Sequence, residues 1–422
     1  MTVIDLGELP AAHQSRPPVR SRRRARPLPL FAVVLLAALV TLAGSTPLPV
    51  RDVLVVPAPL GADRIVGGEL LLVVSPPERV GADRSVTAHR LPSGAEVWRA
   101  PLPVSGEFRG FVVGPDTLFL SGNDLRSRDS LTVALDPATG ARRWRQPGVA
   151  LAPAGAGLLL TDHEDDGTET LRVVDACCGT PRWQATVPQG AAYRFTDAGV
   201  DRVVLSYFAG GVTVLDAATG AELVAADLPG VADRPADGTQ VAADLLLTVD
   251  GARVTAYGLD RLDWRWQATV PGAWHAGECG GAVCVHSRAG SVRALDAATG
   301  RPLWNLDGRN RVWETNGRLL VARIGVTGTG RPDLAVLDPA TGAVRVELGR
   351  WELAFSSRPD DPLIGVRPHP GGGLFVAELD TVAGAVRPLD VLPDAAGDCE
   401  VVGQHLLCRR HDGSLGRWPV RR

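Results

Sequence analysis

The chain has no lysine: all 44 of its basic residues are arginine. With abundant Ala, Val, Gly and Pro, this skew reads as coding bias in a GC-rich genome and not as selection for phosphate binding. The net charge of −3 also argues against a nucleic-acid partner. No HExxH, GxSxG or Walker sequence occurs, so the usual zinc-protease, nucleophile-elbow and P-loop chemistries are without their motifs. The six cysteines show no CxxC-like spacing, which disfavours zinc. The run Asp162-His163-Glu164-Asp165-Asp166, with Glu169, lacks the spacing of an EF-hand loop and reads as a solvated strand-to-strand connection. Gly371-Gly372-Gly373 follows Pro370 with no helix after it to hold phosphate, and reads as a turn. The eight histidines are scattered, and His275, His286, His369 and His405 suit loops and strand edges as well as catalysis.

What is abundant is repetition. LDPATG ends at Gly140, LDAATG at Gly220 and Gly300, and LDPATG again at Gly342. Looser copies end at Gly94, Gly179 and Gly384. Successive glycines lie 46, 39, 41, 80, 42 and 42 residues apart, and the gap of 80 hides a worn copy. In LTVALDPATGARRW (131–144), Leu131, Val133 and Leu135 alternate with Thr132 and Ala134, the pattern of a half-buried strand. Asp136, Pro137 and Gly140 supply turn chemistry, and Arg142–Trp144 begin the return strand. Further apolar runs, such as Thr117–Leu120 and Leu245–Val249, precede each hairpin. Each unit of about 41 residues therefore holds about four short strands, the size of a β-propeller blade.

A second register runs inside the units. Ala88, Gly94 and Trp98 are spaced 6 and 4 apart, as are Ala134, Gly140, Trp144 and Ala294, Gly300, Trp304. Gly179 and Trp183 keep it with Val173 in place of Ala, and the worn copy keeps Ala256 and Trp266 with Leu262 where Gly belongs. An indole recurring beside a residue without a side chain lets one blade dock closely on the next. These residues resemble the tryptophan-docking motif of the PQQ-like (quinoprotein) propeller repeats, a family that includes the quinoprotein alcohol dehydrogenases and BamB-like assembly factors. The resemblance covers about 65–420 and implies an all-β propeller, expected to have eight four-stranded blades, with nine or seven left open. It does not decide function, since the family mixes enzymes with binding scaffolds.

The N-terminal part differs in kind. Residues 1–27 carry a net charge of +4, with several prolines, and read as a disordered cytoplasmic tail. Residues 28–46 are nineteen uncharged, mainly apolar residues, just long enough to span a bilayer as one helix. The arginines at 20–26 place the tail inside and the propeller outside. A cleaved signal peptide competes with this uncleaved anchor, which the long basic region and long apolar run favour. Residues 47–64 read as linker and first strand, and 65–422 as the propeller. No cysteine stands directly after the apolar run, so lipid attachment at that point is not available.

All six cysteines lie beyond that run. Cys279 and Cys284 flank Gly280-Gly281, and Cys399 and Cys408 bracket a reversal at Gly403. Both pairs are expected on neighbouring antiparallel strands and bonded, as suits an oxidising compartment. Cys177 and Cys178 are either a vicinal disulfide or two free thiols. An adjacent pair of this kind covers the cofactor in quinoprotein dehydrogenases, but here it occupies an ordinary repeat turn. The Glu, Asn and Asp ligands and catalytic Asp of the calcium-dependent enzymes find no match. The expected function is a monomeric, membrane-tethered extracytoplasmic platform for a protein, peptide or glycan, with no cofactor, no metal and no catalytic residue. A PQQ-dependent dehydrogenase is the alternative.

Overall fold

The computed structural model describes residues 53–420, apart from 126, 128, 164–167, 188–189, 208–209, 229–238, 316–317, 324–330 and 357–360. The expected tail (1–27) and membrane helix (28–46) lie outside the described residues. Among those described there is no α-helix, and none is long and apolar enough to cross a membrane.

Among the described residues the chain from Val53 onward is built of short strands grouped in fours, antiparallel within each group. Eight consecutive units span 63–102, 108–147, 149–187, 190–227, 239–269, 273–306, 311–350 and 352–392. Within each, strands pair in chain order. Second strands such as Leu70–Ser75 are nearly continuous in apolar residues because units cover both of their faces. Fourth strands such as Arg142–Pro147 are largely exposed and form the outer rim. First strands of neighbouring units approach one another, so they lie nearest the centre.

Among the described residues the expected count of eight is corrected to nine units. The last three strands, Ala395–Val402, His405–Arg410 and Leu415–Pro419, form a further unit whose fourth strand is Leu54–Val56, from the other end of the propeller. Eight complete units already precede it, so the shared strand completes a ninth. For the same reason the propeller begins at Val53 and not at 65. Units eight and nine are also joined through a short parallel pairing, Phe355 with Glu400 and Ser356 with Val401.

The joints between units follow from the repeated residues. Ala88, Ala134 and Ala294 lie directly across the sheet from Trp98, Trp144 and Trp304 of the same unit. Val173 and Ala256 do the same for Trp183 and Trp266. Each indole then crosses to the next unit. Its Nε1 donates to the carbonyl oxygen of Pro137, Ala176, Ala217, Ala297 or Pro339 at 2.8–3.1 Å. Its ring covers a turn glycine. A Cβ on Gly140 would lie 2.4 Å from the Trp98 ring, and one on Gly300 would lie 2.6 Å from Trp266. Both glycines also hold φ near +70°. Alanine thus supports the indole from below, and glycine receives it from the next unit.

The worn copy is a compensated joint. Unit four carries Val224, not an indole, opposite Val214. The space this frees is filled from the other side by Leu262, which keeps the turn (its N–H donates to the Gly258 oxygen at 2.8 Å) at φ +54°. Val224 and Leu262 share one apolar cluster. The ring closes through the same kind of joint: Leu54 of the ninth unit packs where a Cβ on Gly94 would lie, 2.6 Å away. Across that seam Arg64 pairs with Asp398 and, at 3.6 Å, with Glu400, while Arg409 Nη2 donates to the Ala62 oxygen at 2.6 Å.

Candidate functional site

The predicted docking residues form structural joints, not a ligand site. The turns between third and fourth strands are pinned by their aspartates. Asp136 Oδ1 accepts from the Ala138 and Thr139 amides at 3.0 Å, and Arg143 donates to its Oδ2 at 2.6 Å. The Arg143 guanidinium and the Thr139 hydroxyl hold the Asp136 carboxyl at about 2. Arg345 does the same for Asp338, seven residues before it. These exposed charges persist well into acid, and they order the turn that receives each indole.

The cysteine pairs lie where expected. Cys279–Cys284 and Cys399–Cys408 are disulfides, with Cα atoms 5.8 and 4.1 Å apart. The distances fall on either side of the directly opposed spacing of about 4.5–5.5 Å. The two-residue turn pairs Cys279 with Ala282, which leaves Cys284 diagonal to it. Cys399 sits in a bulge between the pairs Gly397–Arg409 and Glu400–Leu407, which presses it close to Cys408. Loops of this size restrict the unfolded chain modestly. Replacing either pair by alanines is expected to cost about 2–3 kcal/mol, read as the shift in a denaturant midpoint.

Cys177 and Cys178 are two exposed free thiols, their sulfurs 2.7 Å apart, in the turn that docks on Trp144. The Cys177 and Thr180 hydrogen bonds lower the Cys178 thiol. Both sit in the turn between the third and fourth strands of unit three, and both are exposed. Of the acidic run, Asp162 and His163 end the strand Gly157–His163, and 164–167 lie outside the described residues. Among the described residues no group of three or more His, Cys, Asp or Glu could hold a metal.

A concave site exists elsewhere. Between units six and seven lies a cavity of about 610 Å³, built from the first strands Ala273–Cys279 and Arg311–Thr315 and from the turn after Ala282–Ser287. The connections between units and between second and third strands share one face. The glycine turns of the repeats and the Cys279–Cys284 turn occupy the opposite face. The cavity opens on the former. Its walls are set by two indoles, Trp274 and Trp313, which are 48% and 38% exposed. The five joint indoles are nearly or partly buried, so packing does not account for these two.

His275 and His286 face each other across the first two strands, ring centroids 5.5 Å apart, with Trp274 a further 5.5 Å from His275. Burial first, then His275 and Arg311, push His286 down to about 4. Burial and Arg311 also lower His275. Arg288 and Arg311 line the cavity, and among the described residues neither side chain has a carboxylate partner or hydrogen bond. Among the described residues no Asp or Glu lines it. Ser287 and Ser291 bond each other at 2.7 Å and hold the turn that presents Arg288.

The depressed imidazole has a consequence for stability. In the unfolded chain His286 takes a proton near pH 6.5, whereas in the fold it resists until about 4. The unfolded state therefore binds more protons over that window, and stability is expected to fall as pH drops from 6.5 to 4. Melting temperatures measured across this range should decline less steeply for His286→Gln than for the parent.

In the sequence alone His275 and His286 look like ordinary edge residues, and nothing singles out the two indoles. The available signal is their spacing: Trp274 and Trp313 are 39 residues apart, close to the repeat period, yet outside the Ala–Gly–Trp register.

A ring of four-stranded units joined by this tryptophan register defines a PQQ-like repeat propeller. The family model described as outer membrane protein assembly factor BamB matches residues 82–231 and 208–358, more than half of the chain, and the chain belongs to that family. Among solved structures, BamB from Moraxella catarrhalis is 17% identical over 87% of this chain and 97% of its own, with a TM-score of 0.42. A quinohemoprotein alcohol dehydrogenase from Comamonas testosteroni is 11% identical over 88% and 77%, with a TM-score of 0.47. The computationally designed Ika8 protein is 15% identical over 75% and 98%, with a TM-score of 0.45. No curated protein matches.

Proposed function

We propose that the protein is a membrane-tethered extracytoplasmic platform that binds a ligand and does not turn it over. The observation that carries this reading is the cavity between units six and seven: exposed indoles and unpaired arginines on a frame made rigid by indole joints and disulfides. Such groups converge where a ligand is held. The dehydrogenase alternative would need a quinone cofactor with a calcium ion. Among the described residues the cavity lining offers arginine, imidazole, hydroxyl and indole groups but no carboxylate for a calcium ion. The residues lining the cavity therefore do not fit that group. The test is reduction of an artificial electron acceptor by alcohols and sugars with PQQ and Ca²⁺ added. No acceptor reduction above the cofactor-only blank is expected. Turnover dependent on both PQQ and Ca²⁺ would overturn the platform reading.

The two disulfides support placement outside the cytoplasm, and the apolar segment at 28–46 supports the tether. Protease added to intact cells should digest the propeller and spare an N-terminal tag. Release of an ectodomain beginning near Gly44 would instead show a cleaved signal.

A further inference from the structure

The chemistry of the cavity narrows its ligand. Arg288 and Arg311, which have no carboxylate partner among the described residues, supply positive charge, and the guanidinium fork matches a carboxylate in two parallel hydrogen bonds. His275 and His286, neutral near pH 7, and Ser287 can each donate or accept a hydrogen bond, as sugar hydroxyls require. Trp274 and Trp313 present flat apolar faces with a polar edge, the surface on which the C–H face of a sugar ring packs. A peptide finds less here. Among the described residues Val312 is the one aliphatic side chain in the lining, which leaves little apolar surface for peptide side chains, and no described carboxylate lines it to take a lysine or an amino terminus. A nucleic acid is disfavoured by the net charge of −3.

We propose that this cavity binds an acidic sugar of a glycan, its carboxylate on Arg288 and Arg311 and its ring against Trp274 or Trp313. The inference rests on the platform reading and deepens it.

Calorimetric titration of the full-length chain in detergent with a galacturonate trisaccharide tests it, with maltotriose and a glutamate tripeptide as comparisons. The acidic trisaccharide should bind, weaken as salt rises, and bind at least about tenfold more tightly than either comparison, a difference of one tenfold step in Kd. Arg311→Ala and Trp313→Ala should each lower that affinity about tenfold or more. Both positions are solvent-exposed, so the variants should melt like the parent, and Trp264→Ala, on the exposed outer strand of unit five, should leave binding unchanged. Equal binding of the neutral sugar or the peptide, unchanged affinity in both cavity variants, or no binding of the acidic sugar would each overturn the proposal. A ligand of another class held at the same cavity would refute the acidic-sugar assignment while leaving the platform reading intact, whereas PQQ-dependent turnover would refute the latter.

Discussion

Replacing Trp144 by Ala is expected to lower stability by about 3–5 kcal/mol, the range for truncating a large buried aromatic. Three contacts fail together. The ring leaves the face of Gly179, where a Cβ would stand only 2.9 Å from it. The indole N–H no longer reaches the Ala176 oxygen, left without this donor at the joint (3.1 Å). Within its own unit, Phe119, whose ring centroid is 5.5 Å away, and Ala134 lose the surface they pack on. The cavity cannot collapse easily, because Gly179 has no side chain and Ala134 only a fixed methyl group to offer it. Trp304→Ala should behave alike, since its joint with Gly342 and Pro339 has the same geometry. The shift of the urea midpoint measures the loss. Variants that melt like the parent would remove the indoles from the joints.

Gly140→Val is expected to cost about 2–6 kcal/mol. A β-branched residue at φ +70° carries about 1–3 kcal/mol of backbone strain, and forcing its side chain into Trp98 adds about 1–3 kcal/mol of overpacking. The two causes separate in a double-mutant cycle. Gly140→Ala should be costly alone, because its Cβ would stand 2.4 Å from the Trp98 ring. In a Trp98→Ala background the clash is gone and only the backbone strain is left. The cost should then shrink by about 0.5–3 kcal/mol, the usual coupling between contacting residues. Strict additivity would place Trp98 away from this glycine. The chain carries a natural version of the cycle in Val224 and Leu262, where a small residue in the indole position accompanies a large one in the glycine position.

The joints and disulfides were legible in the sequence because each is specified by residues close together in the chain. The Asp-to-Gly turn, the Ala–Gly–Trp register and the Cys279–Cys284 hairpin each fit within about a dozen positions. What connects distant segments was not. The ninth unit depends on Leu54 pairing with Arg417, a partner chosen by closure of the whole ring and not by any local pattern. The exchange of sizes at Val224 and Leu262 reads as decay until the two are seen packed together. The cavity was hidden for a related reason. Trp274, His286, Arg288 and Arg311 come from three separate segments, and only the docking of unit six on unit seven brings them together. Their types carry no motif, since recognition by stacking and charge fixes geometry in space and not spacing along the chain.

The central claim, that the face bearing Trp274 and Trp313 holds a ligand in the protein's own compartment, is tested most directly by photo-crosslinking in intact cells. A benzophenone amino acid placed at position 313 should yield a discrete adduct on irradiation, and the same group at position 264, on the exposed outer strand of unit five, should yield none. An adduct at 264 and not at 313, equal adducts at both, or none at either would contradict the account.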